Sequence, residues 1–186
     1  MESCFSEDFL KVLESGRDEA MRTGWRNISP DHIMLSMLRH RDNSACRALE
    51  LLGVDEGSFK KSIEEAIFVP AQIPWDERGS ILPGENSQTL LSHAALEAGR
   101  CGERRISCLH FLLATLRIPG SFSHDYLLRK DISLRSTIEA AGLSWEHYGL
   151  KPGGSSGVTV PDGELMAAAI EKRLREGYSA GDVQAS

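Results

Sequence analysis

Phe9, Val12, Leu13, Gly16 and Ala20 follow Ser6 at intervals of three and four. That spacing predicts an amphipathic helix with a hydroxyl at its N-cap, and Gly24 supplies its stop. Ser29-Pro30-Asp31 then places a cap, a proline at the first helical position and an acid against the positive helix end. Ile33, Met34, Leu35, Met37 and Leu38 follow, apolar nearly all round, which predicts a helix buried among neighbours. A third helix carries Ala45, Ala48, Leu49 and Leu52 and stops at Gly53. A fourth runs from about Asp55 to Ile67, with Phe59, Ile63, Ala66 and Ile67 on one face.

The pattern then recurs. Leu90, Leu91, Ala94 and Ala98 space a second long helix, another starts at Ser107, and after Pro119-Gly120 come short helices through Tyr126–Leu128 and Ile138. "ISPDHIMLSMLR" at 28–39 and "ISCLHFLLATLR" at 106–117 stand 78 residues apart, and 11 of the 21 positions in 19–39 match their twins in 97–117. Ordinary composition would give roughly one or two matches, so this is a duplication. The expected fold is all-α, a pseudo-twofold tandem repeat of two four-helix units with about eight helices. It places repeat 1 at about 5–68 and repeat 2 at about 83–142 in a domain spanning 1–148. "FVPAQIPWDERGSILPGE" between them, with three prolines and two glycines, reads as a loop. Strand patterns are absent apart from brief runs such as "SGVTVP". Residues 149–186 read as a flexible Gly/Ser/Pro linker and a short C-terminal helix with Leu165, Ala169, Ile170 and Leu174 on one face.

At 186 residues and 41% hydrophobic, the chain can bury a core without staples. The longest apolar stretches, such as Leu109–Leu116, fall short of the roughly 20 residues a membrane span needs. "MESCFSEDF" lacks the basic and apolar regions of a secretory signal, which points to the cytoplasm. The net charge of −6 argues against nucleic acid, whose phosphates reward Lys and Arg. "RCGERR" at 100–105 reads as a solvated turn. The four cysteines contain no CxxC pair, and the His93, Cys101, Cys108, His110 gathering has no zinc spacing. The other repeat carries Thr23 and Pro30 where Cys101 and Cys108 stand, so no metal or other cofactor is expected. His32 and His110 occupy twin places in the first turn of the buried helix. With no repeated nucleophile beside them, they read as structural residues that hydrogen-bond to a neighbouring loop.

"FSEDFLKVLESGRDEAMRTGWRNISPDHIMLSML" followed by "ALELLGVD" resembles the amino-terminal Clp repeat domain of the Clp family of AAA+ unfoldases. The resemblance rests on Ala20, Gly24, Ile28, Asp31-His32-Ile33-Met34-Leu35 and Leu49…Gly53-Val54, and covers about residues 5–142. Gly24, Gly102, His32 and His110 form the repeat signature. The resemblance implies a non-catalytic recognition module that binds protein substrates, adaptor proteins or a Clp unfoldase; without an ATPase ring nothing forces assembly, so this chain is expected to be a monomer. It also implies two alternatives: a stand-alone regulator, or a sheath- or secretion-associated module binding a short partner helix. The GxxxxGK[ST] loop of the family's ATPase modules does not occur in the 186 residues.

In some family members this domain recognises arginine-phosphorylated proteins through a hydroxyl at the start of the first helix and the acid before the histidine. Ser6 and Asp31 hold those places in the first repeat; Gly84 and Leu109 hold them in the second. A guanidinium needs a carboxylate, so the second pocket lacks its acid and the first keeps one shorter than the usual glutamate. Both residues also serve as helix-start residues whatever they bind. Trp25, Trp75 and Phe122 fall in expected loops or at helix ends, where aromatic anchors for a partner could stand. A hydrolase using one of the six histidines is the competing class. It would need a nucleophile held against a base, and no GxSxG or HExxH is present.

Overall fold

Hydroxyl, amide and carboxylate side chains start the helices. In this computed structural model, which describes residues 4–144 and Lys172, the Ser6, Asn43, Ser121 and Ser133 side chains accept from amides three residues on, and Asp55 accepts from Gly57 and Ser58. Such caps satisfy amides that the helix itself leaves open. The helices they begin are α1 (Glu7–Arg22), α3 (Ser44–Leu51), α4 (Glu56–Ile67), α7 (Phe122–Arg129) and α8 (Leu134–Ala140). Between them lie α2 (Pro30–Arg39), α5 (Glu85–Arg100) and α6 (Cys108–Arg117). The eight helices follow the expected all-α plan, four to each half of the sequence. The linker and helix expected over 149–186, with "SGVTVP", lie outside the described residues apart from Lys172, which is helical and exposed.

Two features depart from the loop expected between the repeats. Trp75–Ser80 winds into a 3-10 turn, and Leu82–Pro83 (β2) pairs in parallel with Asn27–Ile28 (β1). The strand pair has a twin. Phe5 bridges Ile106 in parallel, with Ser6 N–H donating to the Ile106 carbonyl at 2.9 Å and Ile106 N–H to the Cys4 carbonyl at 2.8 Å. Phe5 and Pro83 are repeat mates, as are Ile28 and Ile106. The segment leading into each repeat's first helix therefore lies beside the segment leading into the other repeat's second helix. Alternation over two residues is too short to register as a strand, so only the assembled halves reveal the pairing.

The exchange extends to the helices. α3 packs on α6 and α8, and its mate α7 packs on α2 and α4. The third helix of each repeat thus sits against the other repeat. A main core shared by both halves results, with Phe9 against Phe111 (ring centroids 5.7 Å apart) and Phe59 stacked on Tyr126 (4.3 Å, 9°), and a small second cluster forms around Leu113 and Ile138. Fully burying one such aromatic side chain is worth about 1.5–3 kcal/mol.

Most of the identities between the repeats mark this scaffold. Glu19 is bound by Arg22 (2.7 Å) and Arg39 (2.5 Å); its mate Glu97, with no side-chain exposure, is bound by Arg100 (2.5 Å) and Arg117 (2.6 Å). Each triad ties the end of a long helix to the end of the following buried helix. Only the glutamate of each triad is enclosed; its arginines reach water, with side-chain exposures of 48% and 37% in repeat 1 and 21% and 26% in repeat 2. Solvent therefore screens each pair, and loss of one arginine leaves the other in place. Gly24 and Gly102 end α1 and α5 with φ of +84° and +72°, where a Cβ is strained. At Gly24 the chain after α4 also crosses so closely that a Cβ would strike the Val69 carbonyl oxygen.

Candidate functional site

His32 and His110 cap the helices they begin. Ser29 N–H donates to His32 Nδ1 at 2.8 Å, and Ser107 N–H donates to His110 Nδ1 at 3.0 Å. An amide can only donate, so Nδ1 is the acceptor and the neutral ring carries its proton on Nε2. In repeat 1 that proton goes to Thr23 Oγ1 at 2.8 Å, whose own hydroxyl donates to the Glu19 carbonyl at 2.8 Å. The edge of Trp25 closes the site, its centroid 5.8 Å from the imidazole, and Trp25 Nε1–H is held by the Ile67 carbonyl at 2.6 Å. Burial, with the nearby Arg22 charge, pushes the His32 pKa down to about 4.

Repeat 2 keeps the cap and loses the second bond. Thr23 becomes Cys101 and Trp25 becomes Glu103. His110 Nε2, fully buried, has no hydrogen-bond partner, and Glu103 Oε2 stands 3.9 Å away, beyond hydrogen bonding. Burial lowers the His110 pKa against the opposing pull of the Glu103 and Glu97 charges and of the Arg105 backbone. Burial, then the Glu103 and Glu97 charges, push the Cys101 thiol up to about 12, so it stays protonated at neutral pH. Neither histidine presents a free lone pair at Nε2, as a base or a metal ligand would require. No group of three or more potential metal-ligating side chains forms among the described residues.

Ser6 and Asp31 are engaged by different parts of repeat 2. The Ser6 hydroxyl accepts from Phe9 N–H at 3.4 Å, a long cap on α1, and its amide is spent on Ile106. The Asp31 carboxylate turns away from its own helix. It accepts from Phe122 N–H at 3.1 Å and from the amide and hydroxyl of Ser123 at 2.8 and 2.6 Å, and it is only 8% exposed. It therefore caps α7 from across the repeat boundary, where two open amides and the positive helix end favour an anion. The mate of this junction is built differently: Leu109 supplies no acid, and its amide donates to Ser44 Oγ at 3.1 Å at the start of α3. Gly84, the mate of Ser6, offers no side chain, and its amide donates to the Ile28 carbonyl at 3.0 Å. No local sequence rule joins residue 31 to residues 122 and 123, so this role was invisible in the chain.

The three aromatic residues separate cleanly. Trp25 seals His32. Phe122 packs on Tyr126 at 6.2 Å with Arg129 over its ring at 5.7 Å, covering the core. Trp75 is presented to solvent, 69% exposed. Arg78 lies 5.4 Å from its ring centroid and is pinned by Asp18 at 2.6 Å. Asp18, Met21, Arg22 and Trp75 line a shallow cleft of about 260 Å³. Trp25, Phe68 and Val69 are exposed where the inter-repeat segment runs back past the end of α1. The pin formed by Asp18 and Arg78 escaped sequence reasoning because 60 residues separate the two.

A hydroxyl–imidazole pair does occur, between Ser15 Oγ and His40 Nε2 at 2.7 Å. His40 borders a separate cleft of about 300 Å³ with Asp8, Lys11 and Arg41. Ser15 lies in mid-helix, where neighbouring amides are committed to the α1 ladder, so its hydroxyl faces no amide pair that could hold an oxyanion. No helix among the described residues is long and apolar enough to cross a membrane.

Comparison with known proteins gives a consistent picture. A family model described as the Clp repeat (R) N-terminal domain matches residues 4–129. The chain is 25% identical over 179 residues to the chaperone protein ClpB of Oceanobacillus iheyensis, an alignment covering 93% of this chain and 22% of that protein. It is 27% identical over 113 residues to the negative regulator of genetic competence ClpC/MecB of Bacillus subtilis, covering 61% and 14%. It is 27% identical over 183 residues to the chloroplastic chaperone protein ClpC1 of Oryza sativa subsp. japonica, covering 93% and 19%. The chain therefore spans less than a quarter of the length of each of these relatives.

Proposed function

The chain belongs to the Clp repeat N-terminal domain family, and from that premise we propose that it is a non-catalytic protein-recognition module, one that binds substrate or adaptor proteins for a Clp-type unfoldase or protease system. The observation that carries this reading is Trp75. Its ring stands in solvent, backed by an arginine that an aspartate holds in place, beside Met21 and Arg22 at the end of α1. A large aromatic fixed before the partner arrives loses little conformational freedom on binding, which is what an anchor needs. Clp family relatives named as chaperones support the setting. The proposed setting is the cytoplasm, with the chain acting as a monomer. Ser6 and Asp31 are proposed contacts of the first repeat. Because Asp31 already caps α7, a ligand that takes its carboxylate must compete with Phe122 and Ser123.

The test is a capture experiment from source-cell lysate with the wild-type chain, Trp75→Ala and Asp31→Ala, each checked for folding by circular dichroism. Retention of an unfoldase, an adaptor or a set of clients by the wild type, reduced at least tenfold in folded Trp75→Ala, supports the module and its anchor. Equal retention by all three places recognition elsewhere on the surface. Capture of no protein by the wild type overturns the recognition reading itself.

A further inference from the structure

No further inference is drawn: the strongest candidate, the Cys101, Glu103 and His110 side chains near the C-terminal end of α5, offers a metal no lone pair on His110, because the Ser107 amide occupies Nδ1 and leaves the proton on Nε2, so it reduces to a lone cysteine with no ligand to point to.

Discussion

Replacing Cys101 by threonine should stabilise the protein, and the size of the gain can be worked from the repeat mate. In repeat 1 the buried His32 Nε2–H donates to Thr23 Oγ1 at 2.8 Å, and the threonine hydroxyl passes its own proton to the Glu19 carbonyl. In repeat 2 the backbone makes the same bond at this point: Cys101 N–H donates to the Glu97 carbonyl at 3.0 Å, as Thr23 N–H does to Glu19 at 3.0 Å. Only the acceptor is missing, and His110 Nε2–H is buried without a partner. An unsatisfied buried donor costs about 1–3 kcal/mol, whereas a made hydrogen bond contributes about 1 kcal/mol net. The threonine hydroxyl must shed its own water, which the Glu97 carbonyl offsets, so the expected gain is about 1 kcal/mol. For a domain of this size that raises Tm by roughly 2–4 °C. Thr23→Val, the reverse change in repeat 1, should cost about 1–3 kcal/mol by the same reasoning. Both are read by urea denaturation and thermal melts followed by far-ultraviolet circular dichroism. Long-range ¹H–¹⁵N spectra of the imidazoles report the tautomer directly. A neutral Cys101→Thr alongside a costly Thr23→Val would show that the two sites are not energetically equivalent. A proton found on Nδ1 of either ring would refute the capping argument at its root.

Acid should destabilise the chain through the same histidines. His32 titrates near 4 when folded and near 6.5 when unfolded, so the unfolded chain binds the extra proton between those values. Stability is therefore fully present above about pH 6.5 and falls as pH drops towards 4, by up to about 3 kcal/mol for this residue. His110 acts in the same direction. Urea titrations across this window should show a slope that shrinks in His32→Gln, and an unchanged slope there would sink the assignment. Asp31→Ala leaves three donors of α7 without their acceptor and should cost about 3 kcal/mol in urea denaturation. A loss under 0.5 kcal/mol would mean that water replaces the carboxylate freely. Gly24→Ala and Gly102→Ala impose similar backbone strain, about 1–2 kcal/mol. Only Gly24 has the inter-repeat segment against it, so its alanine variant should melt several degrees below that of Gly102; equal melting temperatures would count against the close crossing.

Much of the architecture was legible in the chain because helices obey local rules. The apolar spacing behind Ser6, the Ser29-Pro30-Asp31 start and the 78-residue repeat predict eight helices, and each of these signals lies within a few residues of what it specifies. The family was legible for a related reason: Ala20, Gly24, Ile28, the Asp31-to-Leu35 run and the Leu49-to-Val54 end lie close enough in sequence to form a recognisable pattern. What lay outside reach was every decision made between distant residues. The third helices change sides, Phe5 pairs with Ile106 while Pro83 pairs with Ile28, and Asp31 serves a helix 91 residues away. Asp31 shows the distinction well. Its acidity and its place at a helix start are local facts, and both fit a cap on α2. Its carboxylate instead goes where two open amides and a hydroxyl converge, and those come together only when the repeats interlock. The same holds for Trp25 and Trp75, alike in sequence as loop aromatics. Trp25 lies over a buried histidine with 36% of its surface exposed and Trp75 stands 69% exposed, because burial is set by what the rest of the chain brings alongside.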